Sequence, residues 1–296
     1  MVPVRYFKGM KTRDRYINAF TDFGFKRLFG TEFNKELLID FLNQVLGERE
    51  HIRDLTYSNP EQQGRTKKDR KAVYDLYCEN QKGEKFIIEV QNAAHLYFKD
   101  RSIYYATFPL REQAEKGGQW DYQWKAVYTV CILNFSFPDS SGQDRYVREV
   151  QLMDKHTHEV FFDKLTFIYL EMPRFKKSEE ELVTHFDKWL YVLKHLHKLQ
   201  DIPEKLRGKI FDKLFNQAEI AKLNPEEMRT YDESLKVYWD NYSVIQTAKH
   251  EGRQQGREEG ANEKALHIAR ELEENGVSVQ IIAASTGLSQ EQIEKL

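Results

Sequence analysis

The sequence predicts an α/β protein whose strands gather before residue 173 and whose helices lie around and after them, and three observations carry that prediction. The stretch "YDLYCENQKGEKFIIEVQNA", residues 74–93, alternates apolar and polar side chains on both sides of a Lys82-Gly83 turn, as a half-buried hairpin does. "KAVYTVCILNFSF", residues 125–137, is almost continuously apolar, which marks a strand buried on both faces. Residues 31–47, and most of the chain after Pro173, repeat apolar positions at three- and four-residue steps, the period of a helix.

Taken in order, Thr31 or Asn34 caps a first long helix with Leu37, Leu38, Phe41, Leu42 and Val45 on one face and Gly47 as its stop. "HIRDLTYSN" reads as a short strand. "PEQQGRTKKDRK" follows as a polar loop carrying Arg65, Lys67, Lys68, Arg70 and Lys71. After the hairpin, residues 92–116 read as a helix with Phe98, Ile103, Tyr104 and Tyr105 as partial stripes and Pro109 as a kink. "YVREVQLMDKHTHEVFFDKLTFIYLEMP" gives two strands about a polar turn. Helices are expected at 178–199, 203–216 and 225–247, then a charged, Gly-punctuated joint from Glu251. These textures divide the chain into a strand-bearing core at 1–175, a helical extension at 176–250 and a joint with a helical hairpin tail at 251–296.

Composition limits the function classes. With 296 residues, 40% hydrophobic and 13% aromatic, the chain can bury a sizeable core. No apolar run approaches the roughly 18 residues of a membrane span, and "MVPVRYFKGMKTRDRY" places charges where a signal peptide needs an apolar stretch, so the expected location is the cytoplasm. Cys78 and Cys131 fall inside strands and read as buried free thiols. The 45 Lys and Arg nearly balance the 47 Asp and Glu, so any nucleic-acid footprint is local. His156 with His158, and His195 with His197, have a spacing that on a helix points the rings apart, unlike metal ligands. Neither a Gly-rich NTPase loop nor G-x-S-x-G is present, which argues against NTP hydrolysis and serine esterase chemistry.

The hairpin carries the sharper signal. A three-residue loop, Gln81-Lys82-Gly83, sets a register in which Glu79 faces Lys85, Tyr77 faces Ile87 and Asp75 faces Glu89. Ala72, Tyr74, Leu76, Cys78, Phe86, Ile88 and Val90 then share a core face, and Asp75, Glu89 and Gln91 share the other. Like charges directly opposite destabilise a sheet, and a divalent cation relieves that cost. The Val90 carbonyl offers a further oxygen ligand. The competing reading is a pair of acids on a solvent-facing sheet surface.

The succession of helix, strand, Asp75, hairpin, Glu89-Val90-Gln91, helix and apolar strand resembles the PD-(D/E)XK nuclease superfamily. "TDFGFKRLFG" with "LLIDFLNQVLG", "YDLYC" and "IIEVQNA" is similar to its Rpn group of recombination-promoting, transposase-like nucleases, over about residues 14–170. The resemblance implies a restriction-endonuclease-like core, a mixed central sheet flanked by helices. It implies Asp75 and Glu89 as metal-binding carboxylates for Mg²⁺ or Mn²⁺, one ion or two, with Gln91 where most of the superfamily has a catalytic lysine. Asp22 matches an acidic position that completes the site or caps the first helix. Lys26, Arg101 and Tyr104 match positions that touch substrate, with surface or core roles as their alternatives. The implied function is metal-dependent hydrolysis of DNA, with RNA left open, in recombination or mobile-element biology. The competing function is a catalytically silent nuclease-like scaffold that binds nucleic acid or protein. In the tail, Ser278, Gly287 and Ser289 cap and turn two short helices, like a helix-turn-helix. The acidic Glu291 and Glu294 favour instead a helical hairpin for self-association or target positioning, with Leu266, Ile268, Leu272, Ile281, Ile282, Leu288 and Ile293 as the apolar positions that would pack between chains.

Overall fold

A six-stranded mixed sheet organises the computed structural model, which describes residues 14–62, 71–114, 123–138 and 145–296. The strands are β1 (Leu55–Tyr57), β4 (Leu76–Asn80), β5 (Lys85–Gln91), β6 (Val127–Leu133), β8 (Val160–Glu171) and β7 (Val147–Met153), in that spatial order. β2 (Glu61–Gln62) and β3 (Ala72–Val73) form a separate ribbon. β5, β6 and β8 run parallel, and antiparallel neighbours complete both edges. Joining the parallel pair β5 and β6 requires a crossover, supplied by helix α3 (Phe98–Glu112). Of the basic loop, Arg65, Lys67, Lys68 and Arg70 lie outside the described residues, while Lys71 pairs with Glu61 at 2.5 Å.

One sheet face packs under α1 (Asp22–Phe29), α2 (Lys35–Leu46), α4 (His185–His195) and α5 (Lys209–Ala218). Phe86, Ile88, Val130, Ile132, Ile168 and Leu170 supply the sheet side of that core. On the helical side Trp189 is fully buried, with its ring 5.8 Å from Phe29, 5.6 Å from Phe41 and 5.2 Å from Phe211. The residues expected to form a helical extension therefore close the main core, because the amphipathic faces of α4 and α5 have nowhere else to be buried. One compact unit runs through to Trp239.

The opposite sheet face is also covered. Phe98 and Ala106 of α3 pack on Val127, Cys131, Leu133, Phe167 and Tyr169, while Phe108 joins Tyr74, Tyr77 and Ile87. Ala72 and Tyr74 thus lie with Tyr77 and Ile87, not on the face of Leu76 and Cys78, because the chain bends at Asp75 between β3 and β4. α3 begins at Phe98, later than expected, and it exposes Ile103 and Tyr104. Pro109 lies inside this helix without ending it. Proline lacks the N–H that would bond the carbonyl four residues earlier, that of Tyr105. The Tyr74 hydroxyl donates to that carbonyl instead, at 3.0 Å, and so fastens the entry to β4 against α3. Cys78 and Cys131 are free and buried, and burial pushes both thiols up.

The second unit spans Asp240–Leu296. The segment expected to be a joint is helical, since α6 (Pro225–Glu274) runs through Gly252, Gly256 and Gly260. Glu, Gln, Arg and Ala between the glycines are strong helix formers, and pairs such as Gln254 to Glu258 and Gln255 to Glu259 add support along the exposed surface. α7 (Val279–Thr286) and α8 (Gln290–Ile293) fold back on its end. Ser278 and Ser289 stand at their N-caps and Gly287, at φ 74°, ends α7. Ala269, Ile282, Leu288 and Ile293 are buried within the chain, with Leu266 and Leu272 packed against them, which leaves only Ile268 and Ile281 of the apolar set exposed. The tail therefore satisfies most of that set internally, and self-association through it loses its main driving force. No helix among the described residues is long and apolar enough to cross a membrane.

Truncating Trp189 to Ala is expected to cost about 3–5 kcal/mol, the range for a fully buried aromatic, and to lower the denaturant midpoint accordingly. A chain ended at residue 250 should keep a cooperative melt, and one ended at 175 should show none, by circular dichroism.

Candidate active site

The hairpin register is the expected one: Leu76 pairs with Ile88, Tyr77 with Ile87, Cys78 with Phe86 and Glu79 with Lys85. Gly83, at φ 80°, takes the left-handed turn position, and the Asn80 side chain accepts from the Lys82 and Glu84 N–H groups. Asp75, however, is not in mid-strand. It occupies a bend one residue before β4 begins.

That bend has a specific consequence at Val90. Lys85 donates to Ala126 and Gln91 accepts from Asn134, so the odd-numbered residues of β5 bond β6 and the even-numbered ones turn toward β4. The ladder to β4 stops at Ile88, and the Tyr74 N–H is taken by Pro60. Val90 is left facing the notch beyond the end of β4. Its N–H donates to Asp75 Oδ2 at 2.6 Å, a side-chain oxygen standing in for the missing ladder carbonyl. Its carbonyl points to the same notch.

Glu89, on the α3 side of the sheet, is only 7% exposed, and its Oε1 is buried with no hydrogen-bond partner. Burial raises its pKa well above the ordinary carboxylate range and the Asp75 charge raises it further, against a counter-effect from Arg101. Asp75 is raised as well, chiefly by burial, although the Val90 bond opposes the shift. The solvent-facing alternative for these acids is thereby corrected, because α3 covers the face on which Glu89 lies.

The other expected residues are distributed around this pair. Arg101 donates through Nη2 to Gln91 Oε1, and its guanidinium carbon lies 5.1 Å from the Phe98 ring centroid and 5.8 Å from that of Tyr105. Lys26 pairs with Asp22 at 2.7 Å, and both charges act on Asp75. Asn92 Nδ2 donates to the Phe20 carbonyl at 2.6 Å, which ties the approach to α1 to the end of β5. Thr21, not Asp22, caps α1, its hydroxyl accepting from the Gly24 N–H at 3.0 Å. Tyr104 turns outward, its ring edge-on to Phe108, and Tyr105 is the tyrosine beside the acids. Tyr105 is raised by burial and by Glu89. Both tyrosines share the helix side of Arg101, at three and four residues' distance, and only the packing of α3 separates their roles. Asn92 and Tyr105 are the site residues the sequence did not single out.

A half-buried carboxylate, Asp75, and a buried one, Glu89, with an orphaned oxygen, beside a carbonyl directed into the same notch make a hard-oxygen donor set that suits Mg²⁺ or Mn²⁺. Among the described residues no three or more His, Cys, Asp and Glu side chains form a metal cluster by themselves, so carbonyl and water oxygens would have to complete the shell. The same burial makes a stability prediction. An acid raised in the folded state keeps a proton there that the unfolded chain has already released, so metal-free stability falls as pH rises from the ordinary carboxylate range through the raised value. Glu89→Gln removes that slope. At pH 8 and without divalent cations it should melt about 2–4 °C above the unsubstituted protein, the shift of roughly 1 kcal/mol in a domain of this size. Added Mg²⁺ should raise the melting temperature of the unsubstituted protein and not that of the variant.

Comparison with known proteins gives the family. A family model described as PD-(D/E)XK nuclease family transposase matches residues 19–248, from the approach to α1 into α6. A second, described as the C-terminal HTH domain of the Rpn/YhgA-like nuclease family, matches residues 262–296 and takes the helix-turn-helix side of the two readings of the tail. No curated protein and no solved structure matches the chain. Since the first match spans well over half of the sequence and contains the whole sheet with its acid pair, the chain belongs to the PD-(D/E)XK nuclease family of transposases.

Proposed function

We propose that the protein is a divalent-metal-dependent DNA endonuclease acting in recombination or mobile-element biology, in the cytoplasm. The observation that carries this reading is the pair of half-buried Asp75 and buried Glu89 with Glu89 Oε1 unsatisfied, an arrangement that costs stability unless a cation neutralises it. Asp75, Glu89 and the Val90 carbonyl would hold Mg²⁺ or Mn²⁺, which supplies Lewis acidity and lowers the pKa of a bound water. The Val90 N–H holds Asp75 in orientation. Gln91 gives its Oε1 to Arg101 and keeps its amide N–H groups to orient the water or a phosphate oxygen, since it can neither ionise nor take up a proton. Arg101 stabilises charge on the non-bridging oxygens. Lys26 contacts a neighbouring phosphate, and Asp22 either joins the ligand set or holds Lys26 in place. Helix α8, in the segment matching the HTH domain, would supply duplex affinity, which falls as salt rises.

A catalytically silent scaffold is the second reading, favoured by the neutral Gln91 where a lysine is expected. Supercoiled plasmid incubated with the protein and Mg²⁺, Mn²⁺ or chelator separates the two, with RNA as a parallel substrate. The expected outcome is nicking that chelator stops. Asp75→Ala and Glu89→Gln should each cut the rate at least about 100-fold in folded protein, the scale of losing a main electrostatic stabiliser. Gln91→Ala should cost only about 10-fold, as for a group that orients rather than binds. Full activity in folded Asp75→Ala protein would remove the acid pair from the mechanism.

A further inference from the structure

Among the exposed large apolar side chains, four stand on or just before α3, the helix that carries Arg101. Leu96 is 87% and Tyr97 70% exposed at the start of α3, and Ile103 and Tyr104 are exposed further along it. Tyr97 immediately precedes the helix, and its carbonyl accepts from the Arg101 N–H, so the two residues are one turn apart. Tyr104 lies three residues beyond Arg101. Along the helix Tyr97 and Tyr104 therefore stand one turn before and one turn after Arg101, whose guanidinium leans on Phe98 and Tyr105 and reaches Gln91 at the site. The helix continues the same alternation of rings and cations, with Arg101 over Phe98 and Tyr105 and Arg111 4.5 Å from the Phe108 centroid.

We propose that Tyr97 and Tyr104 are stacking surfaces for unpaired bases on either side of the reacting phosphate, so that the site takes DNA that is unpaired there, a single strand or a flap, in preference to continuous duplex. The inference deepens the nuclease reading and rests on it for the position of the phosphate. Rings exposed to water forgo the hydrophobic term that covering them would give. A strand whose phosphates sit against Arg101 and Lys26 places its bases one nucleotide to each side, where a ring offers a sequence-tolerant face. In a continuous duplex those bases are stacked on each other and unavailable. Duplex affinity then belongs to the tail and strand selection to α3, which separates the two contributions experimentally.

The test uses the full chain, in chelator so that no cleavage intervenes. A fluorescein-labelled oligonucleotide of about 20 nucleotides, longer than the footprint of one such module, is followed by anisotropy both alone and annealed to its complement. Tyr97→Ala and Tyr104→Ala should each weaken single-strand binding roughly 5- to 100-fold, the effect of losing one stacked base, with less than about a twofold change on the duplex. Tyr97→Trp should restore single-strand binding. Equal losses on both substrates, no loss at all, or no rescue by Trp would overturn the proposal. A second arm adds Mg²⁺ and compares cleavage of a flap, a single strand and a duplex. Failure to cut any of them, with the binding pattern intact, overturns the nuclease reading and leaves the stacking surface standing. Cleavage of duplex at least as fast as of flap overturns the substrate preference.

Discussion

The antiparallel ladder between β4 and β5 ends at Leu76 and Ile88, and the bend at Asp75 that ends it determines what lies beyond. A strand residue with no partner strand has an N–H and a carbonyl to satisfy, and at Val90 a carboxylate takes the first. The same bond aims Asp75 along the end of β5, where Glu89 and Gln91 emerge on the α3 side. Had β4 begun one residue earlier, Asp75 would face Glu89 as an ordinary cross-strand pair and no notch would exist. The Tyr74 hydroxyl on the Tyr105 carbonyl, a bond that Pro109 makes available, holds the bend against α3.

Around that notch the protein accepts electrostatic cost inside a frame that can bear it. The central strands are buried on both faces, every residue of β6 included, and aromatic clusters anchor the helices over them. Two acids buried elsewhere show a contrast, although Glu50, paired with Lys82 through Oε2, also has an Oε1 without a partner. Glu171 has Arg148 and Arg174 beside it and accepts from the Phe137 N–H, and Asp187 has Lys177 and two backbone N–H groups. Those carboxylates are satisfied within the fold, and Asp187 is held below its ordinary value once these bonds outweigh its burial. Glu89 has no such compensation for Oε1. A buried acid left with an uncompensated oxygen next to a second acid is where a protein gives up stability for chemistry.

On the proposed reading the two units would divide binding labour along the same lines. The first buries Glu89 on the α3 side of the sheet and leaves Tyr97 exposed before that helix. The second has its own small core, from Ala269 to Ile293, and matches a helix-turn-helix model. Glu291 and Glu294 remain unusual for a helix that meets phosphates, so a DNA contact by α8 would have to rely on backbone groups and neutral side chains such as Gln290 and Gln292 near its N-terminus.

The sequence by itself determined the α/β class, the hairpin register from Leu76 to Ile88 and the buried run of β6, because period-two alternation and a glycine at the turn are local properties, whereas the bend that takes Asp75 out of the ladder is not. It also carried the family motifs, since these are runs of contiguous residues. The helix through Gly252 to Gly260 was hidden because the glycines speak against a helix while the residues between them speak for it, and propensity alone does not rank the two. Only the tertiary structure decided that both sheet faces are covered, that α4 and α5 close the core, and that Tyr105 rather than Tyr104 lies beside the acids. Each of those depends on which side of a helix meets the sheet, and that is set by packing between segments far apart in the chain. The unsatisfied oxygen of Glu89 belongs to the same class, for a carboxylate is costly only once a distant helix has taken its water away.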